Sequence, residues 1–239
     1  ALHAPIFSYI RMLRISYEVI KTIDPDAYIA VGGLGYPSFL DGILRNTDNP
    51  DNGEVSDEYP LKGGAYFDVL SFHSYPHIDG SLRAWNNSEQ GFDYFRHSDA
   101  AVKGVTRLYT EFEETLSKHG YDGQTYPEKE WIITEINIPR KKKGSFIGSE
   151  RAQNNFVIKS LVEAQRLGIH QYHIYQVGDR ANFFESDDEF ALMGLFENLN
   201  NVEPHRQNPN SVGIAYKTTS DLLLGKRFDH NATEALNLP

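Results

Sequence analysis

The chain of 239 residues has no cysteine, which removes disulfides and thiolate metal sites and leaves the redox compartment open. Positive charge is in short supply. Lys and Arg total 23 against 33 Asp and Glu, a net charge of −10, which argues against a nucleic-acid backbone as the main partner. No apolar run approaches the about 20 residues that cross a bilayer, so no membrane partner is expected. No G-x-G-x-x-G or P-loop pattern follows any expected strand, and no H-E-x-x-H or similar pairing occurs among the nine His. Neither a nucleotide cofactor nor a metal is therefore expected.

What is present is ordinary globular composition, 40% hydrophobic and 23% charged, with many aromatics: 14 Tyr and 14 Phe. Such rings serve as stacking platforms in sugar clefts and as bulk in cores, and for any single ring the core reading is favoured.

Periodicity gives the framework. Ile6, Ile10, Leu13, Tyr17 and Ile20 recur at helical spacing over residues 4–23, and Asp24-Pro25 ends that helix. Tyr28–Val31 reads as a short strand closed by Gly32-Gly33, either a plain turn or a place of close backbone approach. Residues 37–45 suit a short helix, and Asn46–Tyr59 a long polar loop. Phe67–Phe72 is the next strand, followed by a polar loop through Trp85 to Ser98. Ser98 caps a helix that Gly120 stops, and Ser149 caps another that Gly168 stops. Between them Trp131-Ile132-Ile133 begins a buried strand that Pro139 ends. Ile169–Val177 is a fourth strand, 191–199 a strand-and-turn excursion, and Val212–Leu224 a last helix. Alternation of β and α at this spacing predicts a parallel sheet with right-handed crossovers, either half of an eight-stranded barrel or a small open sheet.

Polar residues collect at the strand ends. Gly33 ends the first, His73 and Tyr75 the second, Glu135 the third, Tyr175 and Gln176 the fourth. A carboxylate at the carboxyl end of a buried strand reads equally as a crevice residue or as a solvated strand end. A single His73 is more often a satisfied histidine than a catalyst. Four polar strand ends on one side are harder to assign to packing.

The segments IAVGG, FDVLSFHSYP, WIITEINIP and MGLFEN…GIAYKTTSDLL resemble strands five to eight of a clan A glycoside hydrolase. The resemblance covers about residues 5–225. It implies a TIM-type (β/α)8 barrel, of which residues 1–228 supply about the C-terminal half, with 229–239 as a tail or linker. It also implies retaining cleavage of a β-linked glycan, with Glu135 as nucleophile. His73 and Tyr75 would line the sugar site, with the tyrosine bonding the nucleophile. Tyr175 would stand where the clan usually carries an aromatic under the sugar; Gln176 and Gly33 complete the expected substrate-binding set. The clan's acid/base glutamate sits in an Asn-Glu pair, and no such dipeptide occurs in this chain. The expectation is that the acid/base lies in an N-terminal half-barrel, on the same protein or a separate chain. Such an enzyme is expected to be secreted or periplasmic and to need no cofactor.

Two rival readings stand beside this one. The first is a non-catalytic carbohydrate-binding half-barrel or pseudoenzyme; the second is an unrelated open α/β sheet for a phosphorylated ligand. Finally, Arg140-Lys141-Lys142-Lys143 is a run of four cations, read either as a solvated loop, which is favoured, or as a cleft edge for an acidic glycan.

Overall fold

The computed structural model describes residues 4–142, 144–145, 147–198 and 207–236. The elements in order are α1 (Ile6–Ile23), α2 (Pro37–Arg45), a 3-10 turn (Gly63–Tyr66), β1 (Val69–Ser74), β2 (Arg83–Asn86) and β3 (Gly91–Tyr94). There follow α3 (Ser98–Lys118), β4 (Glu130–Ile136), α4 (Glu150–Arg166), β5 (Gln171–Ile174), a 3-10 turn (Glu189–Leu192), α5 (Ser211–Leu223) and α6 (His230–Ala235). Parallel strands β1, β4 and β5 form a sheet in the order β1-β4-β5, and β2 and β3 form a separate antiparallel hairpin. The chain divides into two compact units, residues 1–73 with 108–134, and residues 74–107 with 135–239.

In the first unit, α1 buries Ile10 and Leu13 among Leu40, Ile43 and Phe67 of a core that also holds Phe72 and Phe112. Phe72 meets the rings of Phe112 and Trp131 at 5.6 and 6.3 Å. The strand expected at Tyr28–Val31 is not a continuous ladder. Two isolated parallel bridges, Ala30 to Val69 and Leu34 to Phe72, join it to β1. The Gly32 N–H goes to Tyr9 Oη at 3.0 Å, and the Ile29 N–H to the Asp68 carboxylate at 3.0 Å, instead of to main-chain carbonyls. β1 itself begins at Val69, two residues later than expected, and just before it the Asp68 carboxylate accepts from the Ile29 N–H and pairs with Lys21 at 3.1 Å. The loop Asn46–Tyr59 is closed on itself. Thr47 N–H donates to Gly53 O at 2.7 Å, its hydroxyl to Glu54 O at 2.8 Å, and buried Asp48 pairs with Arg14 at 2.9 Å.

In the second unit, Ser149 caps α4 by accepting from Ala152 N–H at 3.1 Å, as expected. The helix buries Phe156, Val157 and Leu161, and ends where Gly168 takes a φ of 72° that other residues avoid. The segment expected as a polar loop from Trp85 to Ser98 contains the β2–β3 hairpin. Its polar residues, Asn86 and Asp93, lie on one face and its aromatic residues on the other, so no apolar run marks it. The excursion expected at 191–199 is a 3-10 turn followed by bridges from Phe196 to Gly178 and Pro209; Leu199 lies outside the described residues. The tail expected as a linker holds the short helix α6, capped by the Asp229 carboxylate. Among the described residues no helix is long and apolar enough to cross a membrane.

Candidate active site

Glu135 lies near the carboxyl end of β4 and is half-buried. Tyr75, just past the end of β1, donates its hydroxyl to Glu135 Oε2 at 2.7 Å. Burial, and next the bond to Glu135, raise the Tyr75 phenol above its ordinary value, so it stays a donor. Tyr75 is the hub of a ring cluster. Phe190 lies 5.2 Å away, Tyr175 5.9 Å and His77 6.0 Å, all near perpendicular. Edge-to-face contacts of this kind fix ring orientation as well as burying area.

The loop carrying Phe190 is fastened from several sides. Gln176 Nε2 donates to Phe190 O at 2.9 Å, and Asp188 accepts from Phe190 N–H at 2.9 Å. Asn137, two residues past Glu135 and fully buried, donates to Tyr175 O and Met193 O, and accepts from Gln153 Nε2 at 3.2 Å. The Tyr175–Gln176 peptide is cis. His77, 2% exposed, has its imidazole pushed down to about 4 by burial, against a smaller opposing pull from Glu189. The imidazole is therefore neutral at physiological pH.

The expected site residues divide into two groups. Tyr75, Glu135 and Tyr175 come together in the second unit, and Gln176 joins them through its bond to the Phe190 carbonyl. His73 and Gly33 meet each other in the first unit. A Cβ on Gly33 would stand 2.0 Å from His73 Nε2, so the glycine is there for close approach rather than as a plain turn. Sequence reasoning missed Phe190, His77 and Asn137. Asn137 follows directly in the Thr134-Glu135-Ile136-Asn137 run and could have been singled out as a buried amide. Phe190 sits in a polar loop that gives no signal.

The basic turn does not present a free row of cations. Arg140 is buried and paired with Asp179, whose carboxylate also accepts from Gly194 N–H at 2.7 Å and Asn210 Nδ2 at 3.2 Å. Lys141 donates to Ser186 O at 2.8 Å and pairs with Asp187 at 3.1 Å. Lys142 is exposed, and Lys143 lies outside the described residues.

The first unit has a cleft of about 590 Å³ at the N-terminal ends of β1 and β4, lined by Tyr17, Tyr121, Tyr126 and Lys129. The Lys129 ammonium donates to Gly64 O and Phe67 O and lies 4.5 and 4.4 Å from the Phe67 and Tyr121 ring centres. Burial pushes it down to about 8. Chemistry on parallel β/α folds belongs at the opposite, carboxyl ends of the strands, so Lys129 reads as a structural tie. Among the described residues, no three His, Asp or Glu side chains group to hold a metal.

No family model matches the sequence, and no curated protein matches it. Solved structures do match. A family 17 β-1,3-glucanosyltransferase from Rhizomucor miehei superposes with a TM-score of 0.54 at 12% identity, over 87% of this chain and 57% of that one. The chain has an α/β fold of parallel strands and helices similar to that of solved glycoside hydrolases. A family 39 glycoside hydrolase from Bacteroides cellulosilyticus WH2 gives 0.53 at 16% identity, over 93% and 39%. An endo-laminarinase from Formosa Hel1_33_131 gives 0.51 at 13%, over 81% and 50%. The chain thus spans little more than half the length of the glucanosyltransferase, and half or less of the other two.

Proposed function

We propose that the chain is the C-terminal half of a retaining β-glycosidase barrel, with Glu135 as the nucleophile. The observation that carries this is the Tyr75 hydroxyl bonded to Glu135 Oε2 at 2.7 Å, at the carboxyl end of a buried strand and beside an aromatic wall. In this reading the Glu135 carboxylate attacks the anomeric carbon and forms a glycosyl ester, while the glycosidic oxygen leaves. A second carboxyl about 5–5.5 Å away protonates that oxygen and then activates water against the ester. Tyr75 holds the attacking oxygen in place. Tyr175 and Phe190 give the sugar an apolar surface, and Gln176 acts through its hold on the Phe190 loop.

The acid/base is supplied by an N-terminal half, on the same protein or a separate chain, since no Asn-Glu occurs here. Helix α1 supports such a partner. Met12, Ile15, Val19 and Ile23 recur at three- and four-residue steps and are all exposed, an apolar stripe opposite the buried Ile10 and Leu13. The substrate class is a β-1,3-glucan, as the names of the glucanosyltransferase and laminarinase neighbours suggest. Action on such a polymer goes with a secreted or periplasmic place.

The test is the purified chain on two substrates. Without the acid/base it should leave laminarin intact and release aryl alcohol slowly from an activated aryl β-glucoside, which needs little protonation. That release should vanish in Glu135→Gln. Release unaffected by Glu135→Gln overturns the assignment, and robust laminarin cleavage shows that an acid lies within this chain. The absence of Asn-Glu also favours a second reading, a carbohydrate-binding half-barrel without catalysis, which predicts laminarin binding and no aryl release.

A further inference from the structure

We propose that the cleft at the N-terminal ends of β1 and β4 binds a small aromatic carboxylate, its charged end on Lys129 and its flat body against the tyrosine rings. Every residue lining this cleft belongs to the first unit, so the proposal is independent of the glycosidase reading. Its volume of about 590 Å³ falls within the range of about 300–1,000 Å³ usual for small-molecule sites. Three separate stretches leave large apolar side chains in water around it. Tyr28 after α1, Val55 and Leu61 in the loop before the first 3-10 turn, and Tyr126 before β4 are between 51% and 71% exposed. One exposed apolar residue needs no explanation, but four on the walls of one concavity form a patch that a ligand would cover.

Deeper in, the rings are held in place. Tyr121 and Tyr126 lie 5.1 Å apart with their planes 31° from parallel, and Tyr17 packs on Tyr66 at 6.3 Å. Gly64 makes room for Tyr121, since a Cβ there would stand 2.2 Å from its hydroxyl oxygen. Lys129 brings the charge. Its ammonium has three N–H groups, and the tie to the main chain uses two, on Gly64 O at 2.8 Å and Phe67 O at 2.5 Å. Among the described residues no carboxylate pairs with it. Asp68, whose charge acts on it, is taken up by Lys21 at 3.1 Å and the Ile29 N–H. A half-buried ammonium held by carbonyl oxygens and ring faces alone lacks a counter-charge.

That arrangement selects among ligands. A cation would be set against Lys129. A neutral aromatic molecule would cover the rings and leave the ammonium uncompensated. A dianion such as a phosphate ester would meet the carboxylates of Glu128 and Glu130, which also line the cleft. A single carboxylate on a flat apolar body takes the remaining N–H in a charge-assisted bond and covers the exposed rings. Proton linkage follows. Burial pushes Lys129 down to about 8, and a bound carboxylate favours the ammonium, so binding takes up protons near pH 8 and weakens above it. The other ionisable groups lining the cleft are Asp68, Glu128, Glu130, Lys62, His119 and four tyrosines; burial pushes Tyr121 up to about 12, outside that window.

The experiment is isothermal titration of the full chain at pH 7 and pH 9 with three probes: 2-naphthoate, neutral 2-naphthamide and the quaternary 2-naphthyltrimethylammonium. The proteins are wild type, Lys129→Met, Tyr126→Ala, Leu61→Ala and, as an exposed-ring control outside the cleft, Phe92→Ala. At pH 7 naphthoate should bind wild type with a Kd of roughly 0.1–1 mM, and the other probes roughly tenfold more weakly. Tyr126→Ala and Leu61→Ala should each weaken naphthoate by roughly fivefold, and Phe92→Ala should bind it like wild type. Wild-type affinity for naphthoate should fall roughly fivefold from pH 7 to 9 while that for naphthamide stays level. Lys129→Met should bind naphthoate no better than naphthamide at either pH. Thermal melts establish that the variants are folded; where Lys129→Met is not, the pH comparison on wild type reads the same charge. The proposal is overturned if wild type does not bind naphthoate, if either other probe binds as tightly, if naphthoate affinity is the same at both pH values, or if folded Lys129→Met binds it normally. Normal binding by Tyr126→Ala and Leu61→Ala would place the probe elsewhere, and a dimer broken up by those changes would show a second copy covering the cleft; either result also overturns it.

Discussion

Glu135 and Tyr75 form the smallest unit of the proposed chemistry. A hydrogen bond to a charged group contributes about 1.5–3 kcal/mol, more than one between neutral groups. Tyr75→Phe keeps the ring and its contacts with Phe190 and Tyr175 and removes only the hydroxyl. Aryl-glucoside turnover should therefore fall by roughly 10- to 100-fold with the fold intact, and wild-type turnover would show that the bond is incidental. His77 is the other residue with a sharp signature. Its folded value of about 4 lies below the ordinary 6.5, so the unfolded chain binds the proton first as pH drops. The stability that neutral His77 contributes is whole above about 6.5 and is lost as pH falls through 4, on the order of 3 kcal/mol in total. Denaturant midpoints followed from pH 7 to 4 should decline, and His77→Phe should flatten that decline; an identical slope in the variant would contradict the burial argument.

Among elements, the turn after β4 has a structural duty that its charge conceals. Arg140 and Lys141 clamp the loop that carries Phe190, one through Asp179 and the other through Ser186 and Asp187. Arg140→Ala strands a buried carboxylate and should cost about 3–5 kcal/mol, read as a drop in the denaturant midpoint. A surface cation would change it by less than about 1 kcal/mol. Legibility follows the same physics. Helices α1, α3 and α4 are readable because a buried stripe repeats at helical spacing and Ser149 marks the start of α4; at α3 the expected cap Ser98 is instead the first helical residue, and His97 Nδ1 accepts from the Ala100 N–H at 3.1 Å. The strand ends of β1 and β4, with Tyr75 and Glu135, are readable because a buried strand is an apolar run that stops. The hairpin is not, since half of its side chains face water as polar groups. Phe190 is not, because hydrogen bonds of a polar loop, rather than periodicity, bring it to Tyr75.

At the scale of the molecule, the stripe of Met12, Ile15, Val19 and Ile23 on α1 is the feature that a partner half would cover. Replacing Ile15 and Val19 by Glu should raise the solubility of the isolated chain and leave its melt unchanged, while abolishing assembly with an N-terminal half. Unimpaired assembly of that variant would place the interface elsewhere. The central claim, that Glu135 is a glycosidase nucleophile, is tested most directly by trapping. The chain is incubated with a dinitrophenyl 2-deoxy-2-fluoro-β-glucoside, whose leaving group needs no acid and whose fluorine slows breakdown of the ester. Mass spectrometry of the digested protein should find one fluoroglucosyl group on the peptide containing Glu135, and none in Glu135→Gln. An unlabelled chain, or a label on another carboxyl, would contradict the account.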